Sequence, residues 1–170
     1  MSQAELLSEV QHFVFHEAWL LDERHLYAWL DLLTDDVSYT LLVREKTLRK
    51  DASPASDAAP TRVLTVDDKA FLTLRVRRLD SGMAHAEKPA SITRHLISNV
   101  YIAAEAGDEL SVRSSFLVYQ ARLETDDQTF YGQREDVLRR VGGDNGGLRL
   151  AQRTVTLDHV TIPRTLTIFF

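Results

Sequence analysis

The second half of the chain constrains the fold most. From Ile92 onward four runs have strand character: 92–104, 110–125, 129–141 and 148–161. Turn signals separate them: Gly107-Asp108, Asp126-Asp127, and the glycine-rich stretch 142–147. Runs this long joined by links this short are consecutive hairpins, so the expected sheet is antiparallel. An antiparallel sheet with one wet face alternates apolar and polar residues. These strands do not. In 110–123, Val112, Phe116 and Val118 share one parity, while Leu117, Tyr119, Ala121 and Leu123 share the other. Either a bulge lies near Phe116 or both faces of the sheet are covered.

The first half supplies the helices. Residues 3–21 place Leu6, Val10, Phe13, Glu17 and Leu21 at steps of three and four, which predicts an amphipathic helix. A second helix is expected after Asp22 as its cap, with Leu26, Trp29, Leu30 and Leu33 on one face. Thr34, Asp35 and Asp36 are expected to end it, and Val37, Tyr39 and Leu41 to begin a strand. Residues 45–61 and 83–91 read as surface loops. Thr65 and Asp68 match a capping box for a third helix, which runs through Phe71, Leu74 and Leu79 to Gly82. Three helices on a curved antiparallel sheet give an α+β cone, with the helices filling its concave face. We read 1–170 as a single domain of 44% hydrophobic content, enough for a real core. The tail, ending in Ile168, Phe169 and Phe170, is too apolar to stand in water and is expected to dock in the core or an interface.

A net charge of −5 argues against nucleic-acid binding, which needs a basic face. The absence of cysteine removes thiolate chemistry, disulfides and iron–sulfur ligation by this chain. No run is long and apolar enough for a membrane span, and 1–10 lack a signal peptide's pattern, so a cytoplasmic location is expected.

Few residues suggest chemistry. His12 and His16 sit four apart on one helical face, a spacing that can bind a metal, but no third ligand stands nearby at a telling position. His16, Tyr27, Asp31 and His95 are the set that would allow acid–base work in a pocket between helices and sheet. The plainer reading makes Asp31 a helix-end residue and His95 a strand residue. Arg75, Arg77 and Arg78 read as a solvated helix face or, alternatively, one that meets an acidic partner. The four glycines at 142–147 lack a phosphate loop's GK[ST] ending.

Several stretches, taken in order, resemble one family: FVFHEAWLLDE at 13–23, AWLDLLTDDVSYTLLVRE at 28–45, SGMAHAEKPASITRHLISNV at 81–100, SSFLVYQAR at 114–122, FYGQREDVLRR at 130–140, and LRLAQRTVTLDH at 148–159, with the double-Phe ending. Together they are similar to the small (β) subunit of bacterial aromatic-ring-hydroxylating dioxygenases, of the naphthalene/biphenyl type. The resemblance implies the NTF2-like cone shared with scytalone dehydratase. It also implies a non-catalytic structural subunit with no cofactor of its own. The partner α subunit would carry a Rieske [2Fe-2S] cluster and a mononuclear Fe(II), in an α3β3 assembly fed with NADH electrons by a reductase and often a ferredoxin. The complex would convert an arene and O2 to a cis-dihydrodiol. We place the subunit interface at Tyr101, Tyr119, Arg122, Arg153, Phe169 and Phe170. The alternative is a free-standing dehydratase or isomerase using His16, Tyr27, Asp31 and His95.

Overall fold

The computed structural model describes residues 2–44, 61–81, 90–123, 126–142, 147–159 and 166–170. Helix α1 (Gln3–Asp22) opens on a capping box: Ser2 Oγ accepts from the Glu5 amide, and the Glu5 carboxylate accepts from the Ser2 amide. Its buried stripe is Leu6, Val10, Phe13, Val14, Glu17 and Leu21, at the steps the sequence shows.

Helix α2 (Leu26–Asp31) is shorter than expected, and β1 (Leu33–Arg44) starts at Leu33. Thr34, Asp35 and Asp36 are therefore strand residues and do not end the helix. Two tertiary interactions move the boundary. Lys69 Nζ donates to the carbonyls of Leu30 and Leu33 at 2.6 and 2.8 Å, and Leu33 pairs with Leu150. Asp22 is not the cap of α2. It ends α1, and the residue before α2 is His25, which makes no side-chain capping bond.

A strand the sequence did not announce, β2 (Thr61–Asp68), pairs antiparallel with β1. Thr65 lies inside it, so the cap of α3 (Lys69–Asp80) is Asp68, whose carboxylate accepts from the Phe71 amide at 2.8 Å. Of the expected loops at 45–61 and 83–91, residues 45–60 and 83–89 lie outside the described residues, as does the glycine-rich tip at 143–146, while Thr61 opens β2.

The remaining strands are β3 (Ile92–Ala106), β4 (Glu109–Leu123), β5 (Asp126–Arg140) and β6 (Leu148–Leu157). The sheet order is β2-β1-β6-β5-β4-β3. The hairpins β3–β4–β5–β6 are antiparallel as expected, but β1 joins β6 in parallel, so the sheet is mixed. A pairing across more than a hundred residues leaves no local signal in either strand.

The two-parity puzzle has a clear answer. Register between β4 and its neighbours is continuous through Phe116, so no bulge lies there. Leu110, Val112, Phe116 and Val118 point inward and are buried, while Leu117 and Tyr119 point outward. The bulge is on β3, between Ser98 and Tyr101, where Asn99 takes φ 52°. Leu96, Leu117 and Tyr131 are register partners across β3, β4 and β5 and are 58%, 38% and 50% exposed. With Ile92 and Tyr119 they form an apolar row on the outer face. Monomeric proteins rarely present such a contiguous patch to water.

Inside, helices and sheet bury Trp29, Leu33, Leu72, Phe130, Leu138, Leu150 and Leu157, each worth about 1.5–3 kcal/mol of transfer free energy. Ile168, Phe169 and Phe170 are buried with them, as the apolar tail required.

Candidate functional site

The centre of the cone holds charge. Glu17 of α1 lies on an otherwise apolar stripe and is fully buried. Arg153 of β6 meets it with a fork: Nη1 to Oε1 at 2.7 Å and Nη2 to Oε2 at 2.8 Å. The same guanidinium reaches Asp136, its register partner on β5, through Nε and Nη2, both at 2.8 Å. Its Nη1 also donates to the Phe170 carbonyl at 3.0 Å. Trp29 Nε1 donates to Glu17 at 3.1 Å, and Arg134 Nη1 approaches Glu17 at 3.5 Å. Two side-chain carboxylates therefore face two guanidiniums.

The electrostatics follow from this. Burial pushes the Glu17 carboxyl up, but the Arg153 and Arg134 charges and the bonds from Arg153 and Trp29 outweigh it and leave it below the usual range. Burial pulls Arg153 down, yet Asp136 and Glu17 overcome this and hold it well above its ordinary value. Arg134 is the weaker cation. Burial and the neighbouring Arg153 lower it, against Glu17 and Asp136.

A second polar joint lies where α1 ends against β3. Asp22 accepts from the His95 amide at 3.0 Å, from His95 Nδ1 at 2.6 Å and from Thr93 Oγ1 at 3.1 Å. Burial raises the Asp22 carboxyl, and these bonds more than reverse it. His95 Nε2 faces the Phe169 carbonyl at 3.0 Å. Both ring nitrogens thus lie within hydrogen-bond distance of the chain's own oxygens. A void of about 30 Å³ beside the ring, lined by Thr93, Ile168 and Phe169 among others, has room for a water or two and none for an arene.

The structure does not bring the four acid–base candidates together. His16 is exposed one residue off the buried stripe, its ring stacked between His12 at 6.2 Å and Trp19 at 6.0 Å. Tyr27 is half exposed and donates to Asp80. The Asp31 side chain is exposed, and its backbone carbonyl receives Arg149. Of the four, only His95 is buried. His12 and His16 stack without a third ligand, and among the described residues no group of three or more His, Cys, Asp or Glu could hold a metal ion. Of the arginines on α3, Arg75 pairs with Asp67 at 2.8 Å and lies over the Phe169 ring, while Arg77 and Arg78 are exposed.

The expected interface residues divide. Tyr101 and Tyr119 are outward and exposed, and Arg122 is half-buried. Arg153, Phe169 and Phe170 are inside the cone, at 0%, 3% and 1% exposure. Their polar and aromatic groups are consumed by the chain's own core.

Sequence reasoning missed Glu17, Tyr39, Arg134 and Asp136. The signal was present in part. A glutamate at a core step of α1, and Arg134 and Asp136 sharing parity with Phe130 and Leu138, are charges that must find partners in the interior.

Comparison with known proteins fits this picture. Residues 16–164 match the family described as ring hydroxylating beta subunit. The β subunit of biphenyl 2,3-dioxygenase from Rhodococcus jostii (strain RHA1) is 36% identical over 97% of this chain and 89% of its own length. The β subunit of benzene 1,2-dioxygenase from Pseudomonas putida is also 36% identical, over 98% and 89%. Among solved structures, naphthalene 1,2-dioxygenase with indole bound superposes with a TM-score of 0.83, covering 100% of this chain and 88% of the matched chain at 24% identity. A protein described as a candidate scytalone dehydratase, from Novosphingobium aromaticivorans DSM 12444, shares the fold at a TM-score of 0.63 and 18% identity, over 94% and 89%. The chain is thus an α+β, NTF2-like protein, and it belongs to the family of β subunits of aromatic-ring-hydroxylating dioxygenases.

Proposed function

We propose that this β subunit carries no active site and supports an α subunit that performs the chemistry, in a cytoplasmic α3β3 oxygenase. The observation that carries this reading is the cone's interior. Its carboxylates and its buried histidine are committed to the chain's own donors and acceptors, and the acid–base candidates outside it do not converge. A Rieske cluster takes two cysteine thiolates and two imidazoles, and this chain has no cysteine. Its residues do not fit that group, so the cluster is assigned to the partner α subunit, and by the family resemblance the mononuclear iron is assigned there too. Electrons reach that subunit from NADH through a reductase and a ferredoxin. The product is a cis-dihydrodiol.

The second support is the outward row of Ile92, Leu96, Leu117, Tyr119 and Tyr131. Covered by another subunit of the oxygenase, it becomes interface core, where aromatic residues are enriched. The test is co-expression with the α subunit. The wild-type chain should elute with it as a hexamer and contribute no iron of its own. Leu117→Lys with Tyr131→Glu, which puts opposite charges on register partners, should leave the isolated chain folded at a cost of about 1–2 kcal/mol and abolish the complex. An isolated chain that hydroxylates or dehydrates a substrate would sink the reading, as would a doubly substituted chain that still forms the hexamer.

A further inference from the structure

Residues 166–170 are held in an unusual way. They form no helix or strand, yet Ile168, Phe169 and Phe170 are buried. Buried backbone normally satisfies its carbonyls through a ladder or a helix. Here side chains of three other elements supply donors, and the His95 ring of a fourth lies against the segment. Arg75 of α3 donates to the Ile168 carbonyl at 3.2 Å, and His95 of β3 meets the Phe169 carbonyl at 3.0 Å. Arg153 of β6 and Tyr39 of β1 both donate to the Phe170 carbonyl, at 3.0 and 2.6 Å. The Phe170 amide in turn donates to the Tyr39 hydroxyl at 2.9 Å.

The side chains are received just as specifically. The Phe169 ring packs on Trp29 with centroids 4.3 Å apart, and the Arg75 guanidinium lies 4.4 Å from its centroid on the ring face. The Phe170 ring sits between Phe116 at 5.7 Å and Phe130 at 5.3 Å, the second edge-on. Gln120 reaches Thr167 at 3.4 Å. This is how a pocket recognises an extended peptide: side-chain donors aimed at successive carbonyls, and one ring-sized site for each aromatic.

We infer that the cone contains a built peptide-binding site, made by Tyr39, Arg75, His95 and Arg153 with Trp29, Phe116 and Phe130, whose ligand is the chain's own 166–170 segment. The ligand class is a short apolar peptide with two adjacent aromatic residues. The segment docks as a separable unit on a cone that is otherwise formed, and it fills the space that the same fold could offer to a small molecule. The inference is independent of how the outer face is used, because none of its residues belongs to the outward row.

The test uses the full chain with Phe169→Ala and Phe170→Ala together, which empties both ring sites and keeps every donor. An acetylated peptide spanning 166–170 is titrated in, with a second peptide carrying alanine at both aromatic positions as control. The expected result is a lower Tm for the variant, a saturable recovery with the first peptide, a matching change in Trp29 fluorescence, and no response to the second. A folded variant that binds neither peptide, or both equally, overturns the proposal. If the variant does not fold, native-state hydrogen exchange on the wild-type chain decides. The Phe170 amide should exchange through a local opening at least tenfold faster than the amides of β4 and β5. Exchange of that amide in step with the sheet would show the segment to be an inseparable part of the core.

Discussion

Arg153→Met is the sharpest perturbation of the interior. Methionine keeps much of the volume and removes a guanidinium that makes five hydrogen bonds to Glu17, Asp136 and Phe170. Counting each charge-assisted bond at about 1.5–3 kcal/mol would make this one side chain rival the whole stability of a typical domain, so a sum is the wrong measure. What the substitution leaves behind decides the cost: two fully buried carboxylates whose nearest cation is Arg134, at 3.5 Å from Glu17. Removing one partner of a buried pair costs about 3–5 kcal/mol. With a urea m-value of about 2 kcal/mol/M, the midpoint should fall by about 1.5–2.5 M.

The pH dependence supplies the sign. The folded Glu17 carboxyl lies below its usual range, so its contribution is complete above the unfolded carboxylate pKa and is lost as pH falls through the folded value. In the variant, Glu17 keeps the burial that raises it and loses the Arg153 charge that lowers it. Protonation then relieves the variant while it weakens the wild type, and the stability gap between the two narrows from pH 7 to pH 4. Urea unfolding followed by far-UV circular dichroism at several pH values measures this. A loss below about 1 kcal/mol at pH 7, or a gap that widens on acidification, would refute the account.

Three other substitutions test separate joints. Asp22→Asn weakens the bonds to Thr93 and His95 and should cost about 1–3 kcal/mol at neutral pH; because the Asp22 carboxyl is lowered in the fold, that cost should shrink as pH falls through its folded pKa, and a cost independent of pH would contradict the role. Gly132→Ala would put a Cβ 2.1 Å from the Thr156 carbonyl oxygen, so β5 and β6 must part locally; we expect a loss of about 1–3 kcal/mol, read as a Tm drop of roughly 2–4 °C per kcal/mol, and an unchanged Tm would count against this register. Asp68→Ala should cost about 0.5–2 kcal/mol in thermal unfolding as the loss of the α3 cap, while Thr65→Ala, whose buried hydroxyl has no partner among the described residues, should cost nothing; the reverse order would restore the capping box at Thr65.

The parts of the fold that were legible rest on short-range signals. The stripe of α1, the hairpins from β3 to β6 and the burial of the tail all follow from spacing, turn residues and apolar content within a few residues. What was not legible depends on distant partners. β2 is mostly exposed and lacks the alternation that marks a strand, so its pairing with β1 decides its state. The parallel β1–β6 ladder and the Lys69 clamp that stops α2 are likewise tertiary. The site shows the same division. His16, Tyr27 and Asp31 were chosen for residue type, and type does not say which way a side chain faces. Glu17, adjacent to His16, was the residue with a positional signal, because it broke an apolar stripe.

The interior and the outer face then have different tasks. A fold of this kind becomes an enzyme when its cone keeps donors and acceptors unspent around a space for substrate, since function lives in the site and not the scaffold. In this chain Arg153 is shared among two carboxylates and a carbonyl, His95 is spent between Asp22 and Phe169, and the rings of Phe169 and Phe170 occupy the ring-sized sites. Such a network fixes the position of α1 against β5 and β6, because Glu17 and Asp136 bind the same guanidinium. Rigidity at the centre holds β3, β4 and β5 in register, and that register aligns Leu96, Leu117 and Tyr131 into one row. The buried charges are therefore best understood as the support for the sheet whose outer face carries that row.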